Sequence, residues 1–262
     1  MKKNILFFFT FLISSIILSA QENTGINNSS AKAKEENTNN KKSEQVFHFG
    51  LKASPAITWL KPNSKFLSYN STRFNIDGGL IMDFNFTDNY AFSTGFEIVS
   101  TGGKLNYPVT AGDSVFYKPE NDSLWFYLID RTYRLRYVNI PLTLKLKTNQ
   151  IGAMVYYGQF GFDFGLRWRA MADDNGTQKK ISTFNDDIDI QKEINFLRLS
   201  LNVGLGIEYN LAGSTSMMIG VNYNNGFTNV FRKESKYLQN RNGKIKQDAF
   251  ANYLALSIGV LF

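Results

Sequence analysis

His48 is the only imidazole in the 262-residue chain, and cysteine is absent. Proton transfer near neutral pH therefore has one ordinary candidate base. Thiol nucleophiles, thiolate metal sites, disulfides and a lipid-bearing cysteine are all excluded. A membrane-bound hydrolase would set such a histidine beside Asp, Ser or Asn, with a nucleophile in hydrogen-bond reach. His48 instead opens the first regular segment on its polar face and reads as a histidine packed among polar groups. Chemistry by carboxylates alone has no motif behind it. Two acidic stretches, DDNG at Asp173 to Gly176 and NDDIDI at Asn185 to Ile190, invite a calcium reading. Neither has the loop spacing or the closing bidentate Glu of an EF-hand, so solvated loops are expected. No catalytic residue, metal site or cofactor is assigned.

The other charged residues follow a period of two. In the segment around Asp163, the residues Tyr156, Phe160, Phe162, Phe164, Leu166 and Trp168 share one face, and Gln159, Gly161, Asp163, Gly165, Arg167 and Arg169 share the other. Such alternation specifies an extended strand with two chemically different sides. The last eleven residues, NYLALSIGVLF, repeat it, with Leu254, Leu256, Ile258, Val260 and Phe262 opposite Ala255, Ser257 and Gly259. Large side chains need an apolar environment that runs to the C-terminus, while small ones suit a crowded interior. Eight such segments occur from Val46 onward, and Pro55 within the first is expected to mark a bend or bulge.

Charge of both signs sits on the glycine-rich side alone. Lys52, Lys145, Arg167 and Arg198 are expected to meet Asp77, Asp83, Glu97, Asp163 and Glu208 across a narrow interior, because buried charge must be paired to be tolerated. Connections alternate long and short. The long ones are 61–71, 104–133, 170–195 and 225–251; the short ones are 87–89, 148–152 and 210–216. Aromatics near segment ends, alternating loop lengths and an even strand count together predict an all-β fold, an eight-stranded antiparallel transmembrane up-and-down barrel with a lumen filled by polar side chains. Its last strand must close onto its first, because bilayer hydrocarbon tolerates no open edge. The aromatic terminus, Phe262, is expected to serve as the signal read by barrel-assembly machinery.

The N-terminus supports export. Residues 1–20 join a basic start to the apolar run FFFTFLISSIIL and small residues, the pattern of a signal peptide. Residues 21–45 have almost nothing to bury and are expected to be a disordered periplasmic tail; residues 46–262 form the barrel. The formal charge of +7 becomes +5 when Lys2 and Lys3 leave with the signal, too mild to argue for nucleic acid. Outer-membrane lipid and lipopolysaccharide are the expected surroundings, in a Gram-negative bacterium. The basic segment with Arg232, Lys233 and Lys236 could meet lipopolysaccharide phosphates or a partner. Phe116, Tyr117, Trp125, Phe126 and Tyr127 are too apolar for a free loop, which predicts strands extending past the membrane or a partner surface.

Around the fourth segment the chain reads YVNIPLTLKLK, Tyr137 to Lys147, which resembles the Tyr-x-x-Ile-Pro-Leu signature of the PorT-like outer-membrane barrels of Bacteroidetes. FGLKASPAITWLKP, YYGQFGFDFGLRWRA and NYNNGFTNV are similar to the same family, and the likeness runs over the whole barrel. It implies an eight-stranded barrel and, because the founding member is implicated in type IX protein secretion, secretion-apparatus proteins as partners. The family also holds barrels of unknown role. The expectation is a non-enzymatic interaction or assembly component, the alternatives being a small ion or solute channel or a structural surface barrel.

Overall fold

The computed structural model describes residues 47–64, 67–108, 114–117, 126–178, 181–232, 238–240 and 243–262; the signal peptide and tail lie outside them. Eight strands make the barrel: β1 (Phe47–Pro62), β2 (Arg73–Thr87), β3 (Tyr90–Asn106), β4 (Phe126–Lys147), β5 (Met154–Gln178), β6 (Leu197–Ala212), β7 (Thr215–Gly226) and β8 (Ala249–Leu261). Each pairs antiparallel with its sequence neighbours, and β8 pairs with β1. Closure runs to the terminus, where Phe49 and Phe262 exchange two backbone hydrogen bonds of 3.2 and 2.7 Å. No open edge is left in the ring.

The expected faces are found. Phe74, Ile76, Phe86, Phe160, Leu205 and Leu254 point outward and exposed, while Asp83, Lys145, Asp163 and Ser257 point inward and buried. Pro55 makes no bulge: β1 holds one register against β2 from Phe47 to Thr58 and one against β8 from Gly50 to Pro62, so the proline only forgoes its N–H. Arg169 departs from its expected face for the opposite reason. A register shift between β4 and β5 passes from Tyr137 opposite Arg167 to Arg136 opposite Arg169, and the extra residue, Trp168, turns Arg169 outward.

Short turns join β2 to β3 and β6 to β7 at the end that carries Phe47 and Phe262, the near end. At the far end the strands outgrow a bilayer. β4 has 22 residues and β5 has 25, against about ten in a typical spanning strand. Much of the expected connections 104–133 and 170–195 is therefore strand. Short strands Val115–Tyr117 and Leu238–Asn240 extend the sheet beyond β4, and Ile181–Asp189 extends it beyond β5. This projecting flap encloses an apolar cluster of Leu60, Leu105, Tyr133, Leu135, Ile190, Ile194, Phe231 and Leu238, all at 2% exposure or less. Hydrophobic side chains thus replace much of the expected polar filling at the far end and roof the lower lumen.

Candidate functional site

Strand pairing brings the lower lumen charges together. Lys145 on β4 bonds Asp83 on β2 at 2.5 Å and Glu208 on β6 at 3.0 Å, and Lys147 reaches the other Glu208 oxygen at 3.2 Å. The Lys145 ammonium also lies 4.8 Å from the Tyr157 ring centroid, a cation–π contact. Lys52 pairs with Glu97 at 2.5 Å. Asp83 accepts a further bond from Ser93 at 2.5 Å, so this carboxylate is satisfied on both oxygens.

Higher in the lumen the partners are amides, which sequence reasoning missed. Asp163 accepts from Asn202 at 3.1 Å, Asn224 at 2.7 Å and Tyr253 at 3.3 Å. Arg198 donates to Asn224 and to the Ala251 carbonyl at 3.1 Å, so it reaches Asp163 through the Asn224 amide rather than directly. Asp77 accepts from the Ser100 backbone at 2.7 Å. Arg167 stands apart from the network it was expected to join: it donates to the carbonyls of Gln191 and Ile194, which anchor the segment after the flap. Asn, Tyr and backbone carbonyls carry no charge signal, so charge complementarity in the sequence could not point to them.

His48 accepts a 2.8 Å bond from the Asn85 side chain at Nδ1. The nearby Ser93 hydroxyl donates to Asp83, not to the imidazole. The Ser–His–carboxylate order that activates a nucleophile is therefore not assembled. The two calcium candidates also come apart. DDNG lies on β5, not on a loop, with Asp173 facing outward and Asp174 buried inward, so adjacent carboxylates diverge. NDDIDI lies largely on the strand Ile181–Asp189. Among the described residues no group of three His, Asp or Glu is placed to hold a metal ion.

The far end holds a second polar centre inside the apolar roof. Arg131, fully buried, makes a bidentate pair with Asp174 at 2.5 and 2.7 Å and reaches Glu193 at 3.3 Å. Its guanidinium sits 4.9 Å from the Tyr117 ring centroid and 5.9 Å from that of Tyr133. Tyr133 and Tyr107 are hydrogen-bonded to each other, and burial pushes both phenols well above their ordinary range. Arg131 keeps the inward parity of Tyr133, Tyr137 and Lys145, while Asp130 lies across from Asn175 and pairs with Lys104 on the other face. Sequence reasoning missed the centre because residues 104–133 and 170–195, which hold Arg131, Asp174 and Glu193, read as connections rather than strand.

The roof also corrects the aromatic surface. Tyr117 and Phe126 are buried, at 7% and 2% exposure, and belong to the core rather than to a partner face. Tyr127 is 48% exposed, with Phe116 packed edge-on against it at 4.6 Å between centroids. Phe184, which sequence reasoning passed over, is 70% exposed on the flap. Arg232 is exposed, while Trp125, Lys233 and Lys236 lie outside the described residues.

Residues 19–192 match the family described as outer membrane protein beta-barrel domain, more than half of the chain. The chain belongs to this family. That membership, with the closed eight-strand ring, places the protein in the outer membrane. Solved structures similar to it include Neisserial surface protein A (9% identity, TM-score 0.39, 82% of this chain and 97% of that one). They also include Ail of Yersinia pestis (13%, 0.34, 83% and 100%) and OprG of Pseudomonas aeruginosa (14%, 0.38, 82% and 95%). No curated protein matches the sequence significantly.

Proposed function

We propose that the protein is a non-enzymatic outer-membrane barrel that serves as an interaction or assembly component, its working surface being the flap at the far end. The observation that carries this reading is the edge of the flap. Ile181–Asp189 ends the strand order, and among the described residues nothing pairs with its outer side. A nine-residue edge offers a row of unpaired backbone groups, the template onto which a partner strand adds. Phe184 is exposed on that edge strand, across from Asn175 on β5, and Tyr127 lies across from Thr177 on the same outward face. Exposed aromatics beside an open edge are the composition of a protein-binding surface.

The short turns at the near end, where the first barrel strand begins at Phe47, support a periplasmic N-terminal tail with the flap outside the cell. The outward Phe262 supports a terminal signal for barrel-assembly machinery. The likeness to PorT-like barrels makes secretion-apparatus proteins the first partners to look for, with lipopolysaccharide around them. A small ion or solute channel is less well supported, because conduction requires both the ion-paired lumen and its apolar roof to open.

Photoreactive residues at Tyr127 and Phe184, activated in living cells, test this reading. Adducts with a defined protein at these two positions, and not at the lipid-facing Phe160, are the expected result. Adducts with lipid alone at all three positions overturn it.

A further inference from the structure

The lumen, the roof and the flap edge each serve a role already described, but one feature on the outer wall serves none. Two arginines, Arg136 on β4 and Arg169 on β5, stand directly opposite each other across the strand pair and both are exposed. Like charges directly opposite on a sheet repel and destabilise it. The pairing is not an accident of alternation, since Arg169 faces outward only because the bulge at Trp168 turns it there. Neither arginine has an ion-pair partner among the described residues, whereas their neighbour Arg134 has two, Asp173 and Asp187, each at 2.5 Å. Asp173 and Asp187 are engaged by Arg134 and Asp189 accepts from Gln191, so among the described residues no carboxylate pairs with Arg136 or Arg169 and their two positive charges stand together.

Its height on the wall is equally specific. Descending from the far end, the next outward pair below Arg136 and Arg169 is Val138 with Leu166, followed by Ile140 with Phe164. The arginines therefore cap the apolar belt within about 7 Å of its last pair, one two-residue step along the strand. Trp168, 59% exposed, marks the same level, where indole side chains favour the membrane–water interface. Arg134, Arg136, Arg169, Met171 and Asp187 line a shallow hollow there. The floor is cationic at the charged level and apolar just below it.

We infer that Arg136 and Arg169 form a binding site for the phosphorylated headgroup of lipid A, the guanidinium groups clamping a phosphate while acyl chains run down the wall past Val138, Leu166 and Phe164. Guanidinium groups recognise phosphate by bidentate hydrogen bonds, and a dianionic ligand turns the repulsion between them into a shared attraction. A soluble anion would gain only the charged half of this surface; a lipid gains both halves. The site rests on the proposed orientation, with the far end in the outer leaflet.

Native mass spectrometry of the detergent-solubilised barrel carries the test. Wild-type protein is expected to retain bisphosphorylated lipid A at least tenfold more strongly than the R136Q/R169Q variant, and to release dephosphorylated lipid A as readily as that variant does. Equal retention by wild type and variant overturns the site. So does equal retention of dephosphorylated lipid A or of phosphatidylglycerol, or saturation of the site by inorganic phosphate alone. Because both side chains are exposed, the variant is expected to fold, shown by cold resistance to sodium dodecyl sulfate, and without lipid A to be no less stable than wild type. The absence of native cysteine lets Thr177→Cys report orientation on intact cells. Labelling from outside with no lipid A selectivity defeats this site alone, whereas no labelling from outside defeats the orientation on which both readings depend.

Discussion

Lys145 shows how much of the interior hangs on single side chains. It is fully buried, and its ammonium satisfies one carboxylate from β2 and another from β6, on opposite sides of β4 in the ring. Removing one member of a buried charge cluster strands the others, at a cost of about 3–5 kcal/mol. Lys145→Gln is therefore expected to lower the free energy of urea unfolding from lipid vesicles by that amount. A loss below about 1 kcal/mol, the value of an exposed pair, would mean that water enters freely. The sequence exposes this network by charge and parity, which is why Lys52, Asp83, Glu97, Lys145 and Glu208 were legible. It does not expose Arg198 and Asp163 as members of an amide relay, because Asn202, Asn224 and Tyr253 look like any small or aromatic lumen residue.

The elements explain why the lumen face is rich in glycine. Gly206 on β6 and Gly220 on β7 are cross-strand partners, and the Tyr157 hydroxyl from β5 lies over both of them. A Cβ at position 220 would meet that hydroxyl well inside van der Waals contact, with the Leu205 carbonyl at 3.0 Å and the next ring atom at 3.3 Å. Gly220→Ala is expected to destabilise the barrel by about 1–3 kcal/mol through overpacking. Tyr157→Phe, which removes only the hydroxyl, should recover much of the loss in the double variant; additive losses in urea unfolding would contradict the shared slot. Alternation identified all eight strands, since each has one lipid-facing side. It failed where a residue was inserted into the period. The bulge at Trp168 reversed the face of Arg169, and no residue type announces a bulge; Arg131 kept its parity and went unread because residues 104–133 read as a connection. The far-end extension was also partly hidden, because strands outside the membrane need no lipid-facing apolar side.

At the scale of the whole molecule, two kinds of filling close one tube. Ion pairs and amides occupy the lower lumen, and an apolar core with Arg131 at its heart seals the far end, so the wall and the flap are the surfaces left to act. An eight-stranded ring has an interior just wide enough for its own side chains, and the described lumen keeps only a small cavity among Lys52, Glu97, Lys145 and Asn202. On the proposed reading the protein contributes its outer wall and flap edge to the membrane rather than a passage through it. Single-channel recording of the purified, folded barrel in a planar bilayer tests this most directly. The closed lumen predicts a baseline without discrete conductance steps across the physiological voltage range. Reproducible steps, altered when Lys145 or Asp83 is neutralised, would contradict it and would make the lumen charges a pathway.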